Sequence, residues 1–147
     1  TSAGIAETDT NGRFLNVNDR FCEITGHSRA ELAELRIADI THPDDMTDNR
    51  RLLEGLLRED EGFRIEKRYV RPDGTAVWVS NDVSLVRRGS DRPPTILAVC
   101  TDIQDRKAAD AALRESEERF RNIADDTPVM MWVTDETGYC TYLNKGW

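Results

Sequence analysis

Residues 102–124 read DIQDRKAADAALRESEERFRNIA. From 105 to 124 the run has no Gly or Pro and is rich in Ala, Glu and Arg, the composition of a helix interior, and Asp126-Thr127-Pro128 stops it. Asp110 with Arg114, Glu115 with Arg119 and Glu117 with Arg121 each set an acid four residues before a base. That is the favourable orientation, worth roughly 0.2–0.5 kcal/mol per pair. The apolar seam is narrow: Ala109, Leu113, Ser116, Phe120 and Ile123 step by 4, 3, 4 and 3, which is heptad spacing with a weak middle. About 20 residues rising 1.5 Å each make a rod of about 30 Å. So thin a stripe buries little on a globular core, and it predicts pairing with an identical helix in a parallel homodimer. Docking of the helix on its own domain is the alternative reading of the same stripe.

What flanks this helix decides the fold. Two copies of one pattern lie on either side of it: Thr8, Asp9, Gly12, Asn18 and Phe21 fall on Thr134, Asp135, Gly138, Asn144 and Trp147 at an offset of 126 (134 minus 8). Solenoid repeats run to roughly 20–50 residues, so a repeat this long is a repeated domain. The chain is therefore one complete unit over 1–104, a helical linker and coiled-coil candidate over 105–126, and over 127–147 the opening hairpin of a second unit. An isolated hairpin is marginal in water, so the apolar residues Val129, Met130, Met131, Trp132 and Val133 are expected either to be disordered or to pack on a neighbouring chain.

Moving outward along the complete unit, Ile5 to Thr8 and Arg13 to Val17 flank the turn Asp9-Thr10-Asn11-Gly12, the strongest short hairpin signal. Asn18 caps a short helix that Gly26 stops, and Ser28 with Glu31 forms a capping box for the next, which turns Leu32 and Leu35 inward. Ile37 and Ile40 lead to His42-Pro43-Asp44-Asp45, the start of a longer helix carrying Met46, Leu53, Leu56 and Leu57. Next comes alternation: Ile65, Lys67 and Tyr69 against Arg64, Glu66 and Arg68, then a turn at Arg71-Pro72-Asp73-Gly74 and a second strand over 75–86. Thr95 to Thr101, TILAVCT, is nearly unbroken apolar sequence, as expected for a central strand covered on both sides. Hairpins at both ends with helices between them give an α+β fold, an antiparallel sheet with short helices on one face.

Composition excludes several functions. The net charge is -8 over 147 residues, with bases scattered among acids, which argues against nucleic acid or an anionic membrane as partner. Cys22, Cys100 and Cys140 stand far apart and odd in number, indicating neither a disulfide framework nor a zinc site. A reducing cytoplasm suits them. There is no signal peptide and no run near the 18 apolar residues that span a bilayer, although a parent protein anchored elsewhere is compatible with this segment.

Taken in order, Asp9-x-x-Gly12, Asn18-x-x-Phe21-x-x-x-Thr25-Gly26-His27, His42-Pro43-Asp44-Asp45, Glu66-x-Arg68, Asp73-Gly74, Trp78 and Thr101-Asp102-Ile103 before a helix resemble a PAS domain with its PAC end. The resemblance covers about 1–104, and 128–147 resemble the start of a second PAS domain. It implies a five-stranded antiparallel sheet whose concave face, closed by the short helices, holds a ligand or a packed core. It also implies a larger signalling protein, a sensor histidine kinase or a cyclic-dinucleotide enzyme, with its output domain in the same chain. Two positions depart from the family pattern: Gln104 follows Asp102-Ile103 in place of Thr, and His27 stands where Tyr is common.

Catalysis finds no support in the residues. His27 and His42 have no triad or ligand partner at useful spacing, and Asp44-Asp45 reads as capping and dipole groups. Relatives that bind flavin covalently use a Cys within Asn-Cys-Arg, and haem-binding relatives a His on the long third helix. Neither is present, so both cofactors are disfavoured. What remains is a non-covalent small ligand, or no ligand in a purely structural spacer. Pocket candidates are Ile24, Ile37, Ile40, Leu53, Leu57, Tyr69 and Trp78, each with ordinary core as its competing reading. Arg64 and Arg68 share a strand face that suits an anion if it points inward and acidic partners or solvent otherwise. Asp102 and Ile103 join the last strand to the helix and are the expected signal relay.

Overall fold

The computed structural model describes residues 3–126 and 132–143. The chain forms two compact units, Thr1–Asp105 and Arg106–Trp147. In the first unit, β1 (Gly4–Thr8) and β2 (Phe14–Val17) form a hairpin, followed by α1 (Asp19–Thr25), α2 (Arg29–Ala33), α3 (Ile37–Ile40), a 3₁₀ turn at Pro43–Asp45 and α4 (Met46–Glu59). Then come β3 (Phe63–Val70), β4 (Ala76–Val86) and β5 (Thr95–Asp102). The five strands pair antiparallel in the order β2-β1-β5-β4-β3, so the two hairpins meet along β5 at the centre.

Local chemistry fixes these boundaries. Asn18 Oδ1 accepts from the Phe21 amide and from the Ile5 amide, both at 2.9 Å, so one side chain caps α1 and ties it to β1. Ser28 Oγ accepts from the Glu31 amide at 3.1 Å and starts α2. At Gly4 a Cβ would lie 2.9 Å from Phe21 Cα, so only glycine lets α1 sit this close to the strand. Gly12 closes the first hairpin at φ +86° and its carbonyl accepts from the Ile37 amide at 2.8 Å, fixing the start of α3 against the turn.

Alternation assigns the sheet faces. Lys67 and Tyr69 of β3, Val77, Val79, Asn81 and Val83 of β4, and Ile96 and Cys100 of β5 point inward and are buried. The inward core falls into two clusters, one around Phe21, Ile24, Ile40 and Tyr69 and one around Leu56, Val83 and Ile96. β5 is central, as its apolar run predicts, yet its outward residues Leu97 and Val99 are only half-buried. They face the outward Glu7 and Ile5 across the β1 pairing, so cross-strand neighbours cover them in part where the sequence suggests a full second layer.

In the second unit the long helix α5 (Gln104–Asp126), which begins just inside the first, is followed by a hairpin of β6 (Trp132–Thr134) and β7 (Cys140–Leu143). Tyr142 lies 5.3 Å from Phe120 between ring centroids and donates from its hydroxyl to Asp125 at 3.4 Å. Trp132 and Val133 are exposed, while Val129, Met130 and Met131 lie outside the described residues.

Candidate functional site

A cavity of about 260 Å³ lies between the inward sheet face and α4, lined from both core clusters. Its walls are apolar: Leu53 and Leu57 from α4, Phe63 from β3, Val83 from β4, Ile96 and Ala98 from β5. The lining residues that also face solvent, Thr10, Asn11, Ala38, Arg50 and Glu54 together with Leu57 at 40% exposed, form its mouth.

Its deep end is polar. Lys67 is only 2% exposed, and its Nζ donates to Asn49 Oδ1 at 2.9 Å and to Thr41 Oγ1 at 3.4 Å while standing 5.0 Å over the Tyr69 ring. A buried charge ordinarily has an opposite charge beside it. None of the described carboxylates lies within ion-pair distance of Lys67, and Asp45 on that side is held by Arg68. Burial accordingly pushes the Lys67 ammonium down to about 8, against a partial opposing pull from Cys100 and Asp45. Beside it, Asn81 Nδ2 donates to Tyr69 Oη at 2.6 Å, leaving Asn81 Oδ1 buried and without a partner among the described residues. The Tyr69 hydroxyl is raised above its ordinary value by burial, and burial pushes the Cys100 thiol up to about 12.

Of the residues expected to line a pocket, Ile37, Leu53, Leu57 and Tyr69 do so. Ile24 and Ile40 are 2% and 1% exposed but belong to the packed core beside the cavity. Trp78 differs outright: it shares strand parity with Ser80 and Asp82, so it stands on the outer face, with the Arg68 guanidinium 4.9 Å over its ring. The two arginines find acidic partners there, Arg64 on Asp82 at 2.7 Å and Arg68 on Asp45 at 3.0 Å. Burial works against the Asp45 carboxylate, but the Arg68 hydrogen bonds outweigh it and hold Asp45 below the usual carboxylate range. The polar floor, Lys67 and Asn81, lies outside the residues expected from the sequence to line a pocket. The signal for it was present, since Lys67 alternates in phase with Ile65 and Tyr69, and Asn81 in phase with Val79 and Val83.

The two histidines serve local structure. His42 Nδ1 accepts from the Asp44 amide at 3.1 Å at the start of the 3₁₀ turn, and His27 reaches Glu31 and the Val70 carbonyl. Among the described residues no group of three or more His, Cys, Asp or Glu is placed to hold a metal.

At the far end of β5, Asp102 Oδ1 accepts from the Gln104 amide at 2.8 Å and starts α5. The Ile103 amide donates to the Trp78 carbonyl at 3.0 Å, and the Trp78 amide donates to Gln104 Oε1 at 3.0 Å. The first residues of the helix are thereby fastened to β4. Through Arg68 over the Trp78 ring, and Asp45 at the base of α4, the same contacts run back to the helix that roofs the cavity.

A sheet closed on one face by short helices over a small cavity, with its last strand running into a long helix, defines a module of the sensory-box class. The chain belongs to the PAS family: the family described as PAS fold matches residues 14–100, and one described as PAS domain matches 118–147. It is 31% identical over 125 residues to the sensor histidine kinase TmoS of Ectopseudomonas mendocina, covering 84% of this chain and 13% of that protein. It is likewise 31% identical over 121 residues to the probable diguanylate cyclase DgcE of Escherichia coli K12, covering 82% of this chain and 11% of that one. Among solved structures, a sensory box histidine kinase/response regulator from Burkholderia thailandensis E264 superposes with a TM-score of 0.65 at 25% identity, over 82% of this chain and 92% of that one. The chain thus spans only 11–13% of the two named relatives. It is a PAS signalling module of the sensory type. No helix among the described residues is long and apolar enough to cross a membrane.

Proposed function

We propose that the unit over 1–104 senses a small molecule held without a covalent bond, and that Asp102 and Ile103 pass its occupancy into α5. The observation that carries this reading is the cavity itself, about 260 Å³ of space between two core clusters where close packing is the rule. The output domain lies in the same full-length protein, a histidine kinase or a cyclic-dinucleotide enzyme, working in the cytoplasm. α5 pairs with its copy in a parallel homodimer through Ala109, Leu113, Ser116, Phe120 and Ile123, and 127–147 open a second PAS domain.

Filling the cavity tests the reading. Ala98 lines it from the central strand, and Ala98→Phe places a ring where the ligand would sit. The variant should stay folded, and the full-length protein should hold one constant output whatever metabolites are present. A full-length Ala98→Phe protein that responds like the wild type would overturn the reading.

A further inference from the structure

We propose that the cavity is built for a small hydroxy-carboxylate with a branched apolar tail, its carboxylate accepting from Lys67 and its hydroxyl donating to Asn81 Oδ1. The inference rests on the reading that the cavity takes a ligand, and it names the chemistry of that ligand.

Two unmet demands at the deep end specify the head group. An ammonium carries three N–H donors, and two of those on Lys67 are taken by Asn49 and Thr41. The third, with the uncompensated charge, calls for an anion. Asn81 Oδ1 is a buried acceptor with no donor among the described residues, which leaves its desolvation unrepaid until something supplies an N–H or O–H. The register pairs Lys67 with Val79 and Ile65 with Asn81, so Lys67 and Asn81 are diagonal neighbours on one face. Such neighbours lie about 7–8 Å apart at the backbone, within the reach of a carboxylate and an adjacent hydroxyl.

Charge and size narrow the class further. Lys67 is the one buried cation of the lining among the described residues, which fits a monoanion and disfavours a phosphate monoester or a dicarboxylate. An α-amino acid would bring a second ammonium into the same apolar space, at a cost in desolvation and repulsion. A purely apolar molecule would leave both polar groups as they are. The rest of the lining, Leu53, Leu57, Phe63, Val83 and Ile96, accepts an aliphatic tail. At about 260 Å³ the space falls below the roughly 300–1,000 Å³ typical of drug-sized ligands.

The test is calorimetric titration of the 147-residue chain with three probes sharing one skeleton: 2-hydroxy-4-methylpentanoate, 4-methylpentanoate and 4-methyl-1-pentanol. Affinity should fall in that order. Lys67→Met should weaken both acids by roughly tenfold or more and leave the alcohol unchanged, which also reports that the variant is folded. Asn81→Leu should remove only the advantage of the hydroxy acid over the plain acid. In labelled wild-type protein the Lys67 side-chain resonance should move with the acids and stay still with the alcohol, a readout that needs no variant. Binding of the alcohol as tightly as the acids, or acid binding indifferent to Lys67→Met, overturns the hydroxy-carboxylate while the cavity reading stands. No binding by any of the three also overturns it, and the Ala98→Phe output experiment then decides the cavity reading separately.

Discussion

Lys67 is buried among neutral partners, Asn49 and Thr41, with no anion within ion-pair distance among the described residues, so its charge should oppose folding, and the sign of that effect can be worked out. Its value in the folded protein is about 8, below the ordinary 10.5, so between these pH values the unfolded chain holds a proton that the folded chain has released. Stability contributed by this group therefore rises with pH across that window, with the penalty in full force below about 8 and relieved near 10.5. The groups facing it act in the opposite direction. Cys100 and Tyr69 are both raised by burial, so they withdraw stability as pH climbs past 9.0 and 10.0, their ordinary values. Comparison with Lys67→Met largely cancels those contributions. The stability of the wild type minus that of the variant, from urea unfolding, should increase by roughly 1–3 kcal/mol between about pH 7.5 and pH 10. Near pH 7.5 the variant also loses the donor to Asn49, which offsets part of its gain. A difference that stays flat across the window would show that Lys67 is not held in a desolvated site. The same residue shows how far the sequence could be read. Its phase with Ile65 and Tyr69 places it on the inward face, but its type suggests solvent, and an alternating strand carries no mark of which face the helices cover. The aromatic character of Trp78 invited an inward assignment that its parity with Ser80 and Asp82 forbids.

Elements were more legible than sites, because caps and turns are written in local chemistry. Asn18, Ser28 and the Asn11-Gly12 turn make the bonds their residue types imply; α3 has a local bond of the same kind, from the Arg36 amide to Asp39, but its place against the first hairpin rests on the bond from the Ile37 amide to the Gly12 carbonyl, across a distance no local pattern reports. α5 is the element whose purpose depends most on what lies outside it. Leu113, Phe120 and Ile123 remain 61%, 44% and 63% exposed, and Phe120 meets the Tyr142 ring. In the proposed parallel dimer these residues meet their own symmetry mates, and the small Ala109 and Ser116 leave alternative packings close in energy. Ser116→Leu should lock one packing, strengthening self-association and fixing full-length output while the PAS unit stays folded. Sedimentation equilibrium of the wild type and the variant checks the first effect, and a monomer at high concentration in both would remove the coiled coil from the proposal.

At the scale of the whole molecule, the question is how occupancy of a cavity under α4 could reach a helix that begins at Gln104. The strand route is direct, since Ala98 lines the cavity and β5 continues to Asp102, which starts α5. A second route runs over the outer face, from Asp45 before α4 through the Arg68 guanidinium to Trp78, whose backbone holds the Ile103 amide and the Gln104 side chain. Spatial continuity alone does not establish coupling, which requires that both ends bias the same two-state element. A mutant cycle separates the routes. Ala98→Phe serves as a fixed mimic of the occupied cavity, and Arg68→Met keeps a side chain over Trp78 while removing its charge and its pair with Asp45. Amide exchange at residues 103–108 reports how firmly the helix start is held, because opening of that turn releases the bond to Trp78. If the outer face carries the signal, Ala98→Phe should change this exchange severalfold in the wild-type background and leave it unchanged beside Arg68→Met. If β5 alone carries it, the two substitutions should act additively, and the path through Arg68 and Trp78 is then a structural fastening with no part in the relay.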